Sequence, residues 1–97
     1  ARRDRLMVRS RRTDRELLRV VHRVAVARAA AARDMKVAKA VAPAHPHFLL
    51  VLEHCERAYA AGLKDDGVKF VEHLERARSE DLTFRAIIER LGFNLPP

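Results

Sequence analysis

Residues 16–41 read ELLRVVHRVAVARAAAARDMKVAKAV. The stretch contains neither Gly nor Pro, the two residues that most readily interrupt a helix. Leu17, Val20, Val24, Ala27, Ala31 and Ala38 recur at mostly three- and four-residue spacings, with Met35 close to the line. That is the period of an amphipathic α-helix. Just upstream, Thr13-Asp14-Arg15-Glu16 has the form of a capping box, a hydroxyl followed three residues later by a carboxylate. A helix starting there covers about 28 residues and about 42 Å. The same stripe also continues backwards through Leu6, Ser10 and Thr13. On that rival reading the helix begins near Arg3, reaches about 55–60 Å, and leaves Thr13 no cap to make.

Outward from this helix the punctuation is clear. APAHPH (42–47) is a hinge, because each Pro disfavours the helical conformation in the residue before it. A second helix is expected from near Pro46 to Ala61, with Gly62 as its stop. Asp65 or Asp66 can cap a third helix from about Gly67 to Arg78. Ser79 can cap a fourth that Gly92 ends, or the third and fourth fuse into one bent helix. Phe93 and Leu95 are expected to fold back over the last turn. The predicted fold is all-α: a long N-terminal helix packed on two or three shorter helices, a helical bundle. Residues 1–12 form a basic N-terminal extension, continuous with the first helix on the longer reading. Residues 13–97 form a single helical domain. The Ala-rich middle of the first helix, Ala25–Ala32, permits close helix approach within the chain or across an oligomer.

One internal echo is present. VLEHCERA (51–58) returns as FVEHLERA (70–77). Each copy sets a Glu four residues before an Arg, Glu53–Arg57 and Glu72–Arg76, and Asp81–Arg85 repeats the spacing; such pairs support a helix by a few tenths of a kcal/mol.

The net charge is +7 over 97 residues. Residues 1–40 carry 13 Lys/Arg and 4 Asp/Glu, a balance of +9, whereas residues 41–97 carry 7 and 9, a balance of −2. A basic element attached to an ordinary domain seeks phosphate, an acidic protein surface or anionic lipid. The single cysteine, Cys55, allows no intrachain disulfide, which fits an intracellular, reducing compartment, cytoplasm or organelle matrix. The Arg-rich, acid-poor opening is compatible with the end of an organellar transit peptide. No apolar run approaches the roughly 18 residues of a membrane span.

Candidate chemistry is sparse. His45, His47 and His54 lie close in sequence, and with Glu53, Cys55 or His73 they contain the donor types of a zinc or iron site. The HExxH, ExxH and CxxC spacings are all missing, so no metal or cofactor is expected. Cys55 shares a helical stripe with Phe48, Leu52 and Tyr59 and reads as packing. The long first helix, the Pro loop and the following helices resemble the all-helical chorismate mutases, and Arg11, Arg28 and Lys39 are spaced similarly to the cations that bind substrate there. That resemblance implies a small helical enzyme. The chain departs from it where an acid and a polar amide should stand, with Phe48, Val51, Leu52 and Ile88 in those regions. Residues 48–78 are also similar to one hairpin of the helical-repeat RNA-binding proteins, which use several. SEDLTFRAIIERLGFNL resembles the last helix of some helix-turn-helix domains, but no turn with its small residue precedes it.

The arginines carry the functional expectation. Arg5, Arg9, Arg12, Arg19 and Arg23 fall near one helical line, interrupted by Glu16, and Arg2, Arg3, Arg11 and Arg15 broaden the band. Guanidinium offers a planar fork of donors that suits phosphate oxygens. The expected function is non-enzymatic: RNA or phosphate-backbone binding through Arg2, Arg3, Arg5, Arg9, Arg12, Arg19 and Arg23, as a component of a larger assembly with other protein subunits. The alternative is a protein-interaction or oligomerisation bundle that docks through Leu17, Val20, Val24 and Met35, its arginines meeting an acidic surface or solvent.

Overall fold

A computed structural model describes the backbone of residues 2–93 and the side chains of residues 14–93. Three helices follow one another: α1 (Arg2–Asp34), α2 (His45–Leu63) and α3 (Gly67–Arg90), with a 3-10 segment (Lys39–Ala44) between the first two. No strand occurs among the described residues. The chain is therefore a helical bundle with the long helix first. Its 33-residue α1 runs about 50 Å at 1.5 Å per residue. The helix continues through Thr13, so α1 begins upstream, as on the longer of the two readings, and Thr13 is not at a helix start.

α1 ends at Asp34 rather than Val41. Residues 35–38 leave the helix, and Ala38 is extended (φ −62°, ψ 141°). Packing overrides propensity here. Met35, Val37 and Val41 turn back to line an apolar cleft with Phe48, Phe84 and Ile88, a contact that a straight helix would carry away from the bundle. Pro46 sits in the first turn of α2, where its missing N–H costs nothing.

Gly62 is not the stop of α2 but lies inside it. A Cβ at Gly62 would stand 3.0 Å from Leu18 Cδ2 and 3.2 Å from a Phe70 ring carbon, so this glycine lets α1 and α3 approach α2 together. The chain reverses instead at Asp65, whose φ is +57°. Asp66 then caps α3 by accepting a hydrogen bond from the Lys69 amide at 3.1 Å. The expected third and fourth helices are one helix, and Ser79 lies in its interior. Gly92, with φ +92°, supplies the left-handed residue that ends it. The Phe93 amide closes onto the Ile88 carbonyl, while its ring stays exposed; Leu95 lies outside the described residues.

α2 is the middle of the bundle. It packs against both α1 and α3, whereas α1 and α3 do not pack directly on each other among the described residues. Ring contacts Phe48–Phe84 and Tyr59–Phe70 and the His47–Glu80 pair at 2.7 Å fix α2 and α3 antiparallel. The helical echo meets itself in this hairpin: His54 and His73 occupy the same place in the two copies and face each other, Nδ1 to Nδ1, at 3.2 Å.

The buried residues are Ala25, Ala29, Ala32, Ala44, Ala58, Ala61, Ala77 and Ile88. Seven of these eight are alanines. No large side chain is fully buried among the described residues. Alanine walls bring helix axes close together, but each contributes only the transfer of about one methyl group, roughly 0.8 kcal/mol.

Candidate docking face

α1 is apolar on two neighbouring faces, and only one is used within the chain. Leu18, Val21, Ala25, Ala29 and Ala32 face α2: the three alanines are buried, and Leu18 and Val21 are half-buried. The stripe predicted to be apolar lies one residue away in register, and it stays outside. Leu17 is 61% exposed, Val20 46%, Val24 44% and Met35 54%. On a helix turning about 100° per residue, Leu17, Val20, Val24, Ala27 and Ala31 span a band about 80° wide. The four residues expected to meet a partner are therefore all at the surface. Three of them form one strip on α1, and Met35 lies beyond the helix end at the mouth of the apolar cleft.

The exposed strip runs into the groove between helices. Val24 also lines a cleft of about 150 Å³ with Val21, Ala25, Arg28, Leu52, Cys55 and Tyr59. Phe48, Leu52, Cys55 and Tyr59 share one stripe of α2. Phe48 and Tyr59 touch α3 through Phe84 and Phe70, so this stripe floors the space between α1 and α3. At its far end the cleft of Met35, Val37, Val41, His45, Phe48, Phe84 and Ile88 measures about 310 Å³. Each residue of α2 from His47 to Glu56 is only half-buried. The run Phe48–Leu52 is apolar on every side of this helix, a pattern ordinarily enclosed all round.

The described cations divide into two groups. Arg15 and Arg33 are tied to the chain's own acids and carbonyls. Arg15 donates to Asp65 at 3.1 Å and to the Leu63 carbonyl at the end of α2. Arg33 meets Glu53 at 3.4 Å and Glu56 at 3.6 Å. Arg19 and Arg23 are exposed, and among the described residues neither has a carboxylate partner. They flank the exposed apolar strip on the side away from α2, and Arg28 stands on the side toward it. The side chains of Arg2, Arg3, Arg5, Arg9 and Arg12 lie outside the described residues, although their backbone belongs to α1.

The remaining candidates do not assemble. Among the described residues no group of three or more His, Cys, Asp or Glu converges as a metal site. Burial, and next the nearby Asp81 carboxylate, push the Cys55 thiol up, which keeps it protonated and unreactive. Arg28 sits in a cleft whose other walls are aliphatic or aromatic apart from Cys55, with Lys39 not among them; the Arg11 side chain lies outside the described residues. Of the expected helix pairs, Asp81–Arg85 closes at 3.1 Å and Glu53–Arg57 at 4.0 Å, while Glu72–Arg76 does not. No helix among the described residues is long and apolar enough to cross a membrane. No protein-family model matches the chain, and neither a curated protein nor a solved structure is similar to it.

Proposed function

We propose that this chain is a non-catalytic component of a larger assembly, and that it docks on an acidic protein partner through the outer face of α1. The observation that carries this reading is the uncovered strip of Leu17, Val20 and Val24 beside Arg19 and Arg23, which have no carboxylate partner among the described residues. Exposed aliphatic side chains favour a partner that excludes water from them, and polyanions offer little such surface. The flanking guanidinium groups select for carboxylates. Charge also argues against a second copy as the occupant, since pairing two chains of net charge +7 sets like fields together. The alanine interior supports the same reading. A bundle whose described residues bury one large side chain, Ile88, among seven alanines has apolar surface left for a partner to cover.

The second reading, RNA or phosphate-backbone binding through Arg2, Arg3, Arg5, Arg9, Arg12, Arg19 and Arg23, draws support from Arg19 and Arg23, which stand midway along α1 and have no carboxylate partner among the described residues. Contact would then be electrostatic and largely sequence-independent.

Salt and two substitutions of Val20 separate the two. The partner would be captured by affinity purification of the full chain and identified, and its binding measured from 50 to 500 mM salt (about 14 to 4 Å of Debye screening). Docking predicts a modest weakening with salt, as the Arg19 and Arg23 contacts to carboxylates are screened, and at least a tenfold loss in both Val20→Asp and Val20→Asn, since burying an unsatisfied polar group costs more than about 1.4 kcal/mol. RNA binding predicts an affinity that falls by several powers of ten over the same range, with a slope set by the number of phosphates contacted, and a loss in Val20→Asp that disappears in Val20→Asn, which adds no charge beside Arg19 and Arg23. A chain whose captured partner binds Val20→Asn as well as wild type refutes the docking reading.

A further inference from the structure

At the opposite end of the bundle from Met35 lies a second concentration of positive charge that the docking face does not use. Arg57 stands on the last part of α2 and Lys64 just past its end, seven residues on, and Lys69, His73 and Arg76 follow at three- and four-residue intervals along the first part of α3. Because the helices are antiparallel, the two series meet. Arg57, Lys64, Lys69 and His73 line one pocket of about 250 Å³, floored by Ala60 and Ala61 and closed by Asp66. Residues 41–97 carry only seven Lys/Arg against nine Asp/Glu, yet three of those seven cations share this pocket and a fourth, Arg76, stands one turn beyond His73.

The chain leaves this charge unbalanced. Lys64, Lys69 and Arg76 have no carboxylate partner among the described residues. Arg57 reaches Glu53 only at 4.0 Å. The single acid in the pocket, Asp66, already accepts the Lys69 amide as the cap of α3. Behind the pocket His73 touches His54, Nδ1 to Nδ1, at 3.2 Å, so at most one of the two nitrogens carries a proton in that contact. Burial, followed by the charges of Arg57, His73 and Arg76, holds the His54 imidazole below its ordinary value, against an opposing pull from Glu80. The small alanines of the floor leave room for a ligand between the two basic rows.

We propose that this pocket binds a small divalent phosphoryl anion, whose oxygens are shared between Arg57 of α2 and Lys64 and Lys69 around the reversal, with His73 as the fourth donor. Three ammonium or guanidinium groups and one imidazole supply donors on more than one side of the ligand, which a monovalent anion would not compensate. The site is independent of the α1 docking face: it lies on the α2–α3 hairpin and shares no residue with Leu17, Val20, Val24, Arg19 or Arg23.

The test is a titration of the full chain with inorganic phosphate, divalent just above neutral pH, at constant ionic strength, read from the imidazole resonances of His54 and His73. A site of this kind gives saturable shifts with a midpoint at or below about 1 mM, and the bound anion raises the His54 titration midpoint. Lys64→Gln/Lys69→Gln weakens the midpoint at least about tenfold, the loss of roughly 1.4 kcal/mol. Lys36→Gln/Lys39→Gln, with the same charge change elsewhere, leaves it unaltered. Shifts that rise linearly and are reproduced by chloride, or a Lys64/Lys69 variant that titrates like wild type while keeping its helical circular dichroism, overturn the proposal.

Discussion

Replacing Ala29 by Leu tests which face of α1 packs inward. Ala29 is 0% exposed, on the strip that meets α2. Leucine adds three carbons at a position that has no free surface of its own. Overpacking of this kind costs about 1–3 kcal/mol. For a chain of this length each kcal/mol lowers the melting temperature by about 4–8 °C, so a fall of roughly 4–24 °C is expected. Ala27→Leu is the matched control. Ala27 is exposed on the neighbouring strip, and Leu and Ala differ by only a few tenths of a kcal/mol in an exposed helix position. Its melting temperature should stay within about 3 °C of wild type. Both would be followed at 222 nm by thermal circular dichroism at low micromolar concentration. If the two variants melt together, or if Ala27→Leu is the damaged one, the register assigned to α1 is wrong and the exposed strip of Leu17, Val20 and Val24 is the core.

Arg15→Ala removes the tie from α1 to Asp65 and to the Leu63 carbonyl; because the pair is well exposed, the loss in urea unfolding should be no more than about 1 kcal/mol. Asp66→Ala deletes the cap of α3 and should cost about 1 kcal/mol, measurable as faster amide exchange in the first turn of that helix. His54 is held below its unfolded value of 6.5, so the unfolded chain binds more protons just below that pH. Stability should therefore fall as pH is lowered through 6.5 and level off below the folded value. His54→Gln, with Arg57, His73, Arg76 and Glu80 left in place, should flatten that part of the urea midpoint against pH.

The architecture was legible because its signals are local. An uninterrupted helical period, two prolines, an Asp cap and a terminal Gly mark α1, the hinge and the ends of α3. The register of α1 was not legible, and the reason is chemical. Between Ala25 and Ala32 most residues are alanine, which fits an inner and an outer face equally well. Leu17 and Leu18, and likewise Val20 and Val21, offer adjacent apolar choices, so periodicity alone cannot separate the two strips. Gly62 misled in another way: a glycine near the expected end of a helix reads as a stop, and only Leu18 and Phe70 on either side of it reveal a close approach. The pairing of Arg15 and Arg33 with acids 20 to 50 residues away depends on the antiparallel return of α2, which no local pattern encodes. Leu17, Val20, Val24 and Met35 are exposed because a different strip took the inner position.

Walls made of alanine admit change in one direction. At Ala29 or Ala58, both fully enclosed, the only smaller residue is glycine, which weakens a helix by about 1 kcal/mol, and every larger one pries the helices apart. The spacing between α1 and α2 is thus a fixed gauge, closed to gradual improvement by filling. A lineage of such chains could gain stability only at its outer surfaces, where selection for a tighter hold on a neighbour and selection for a sturdier molecule would favour the same substitutions.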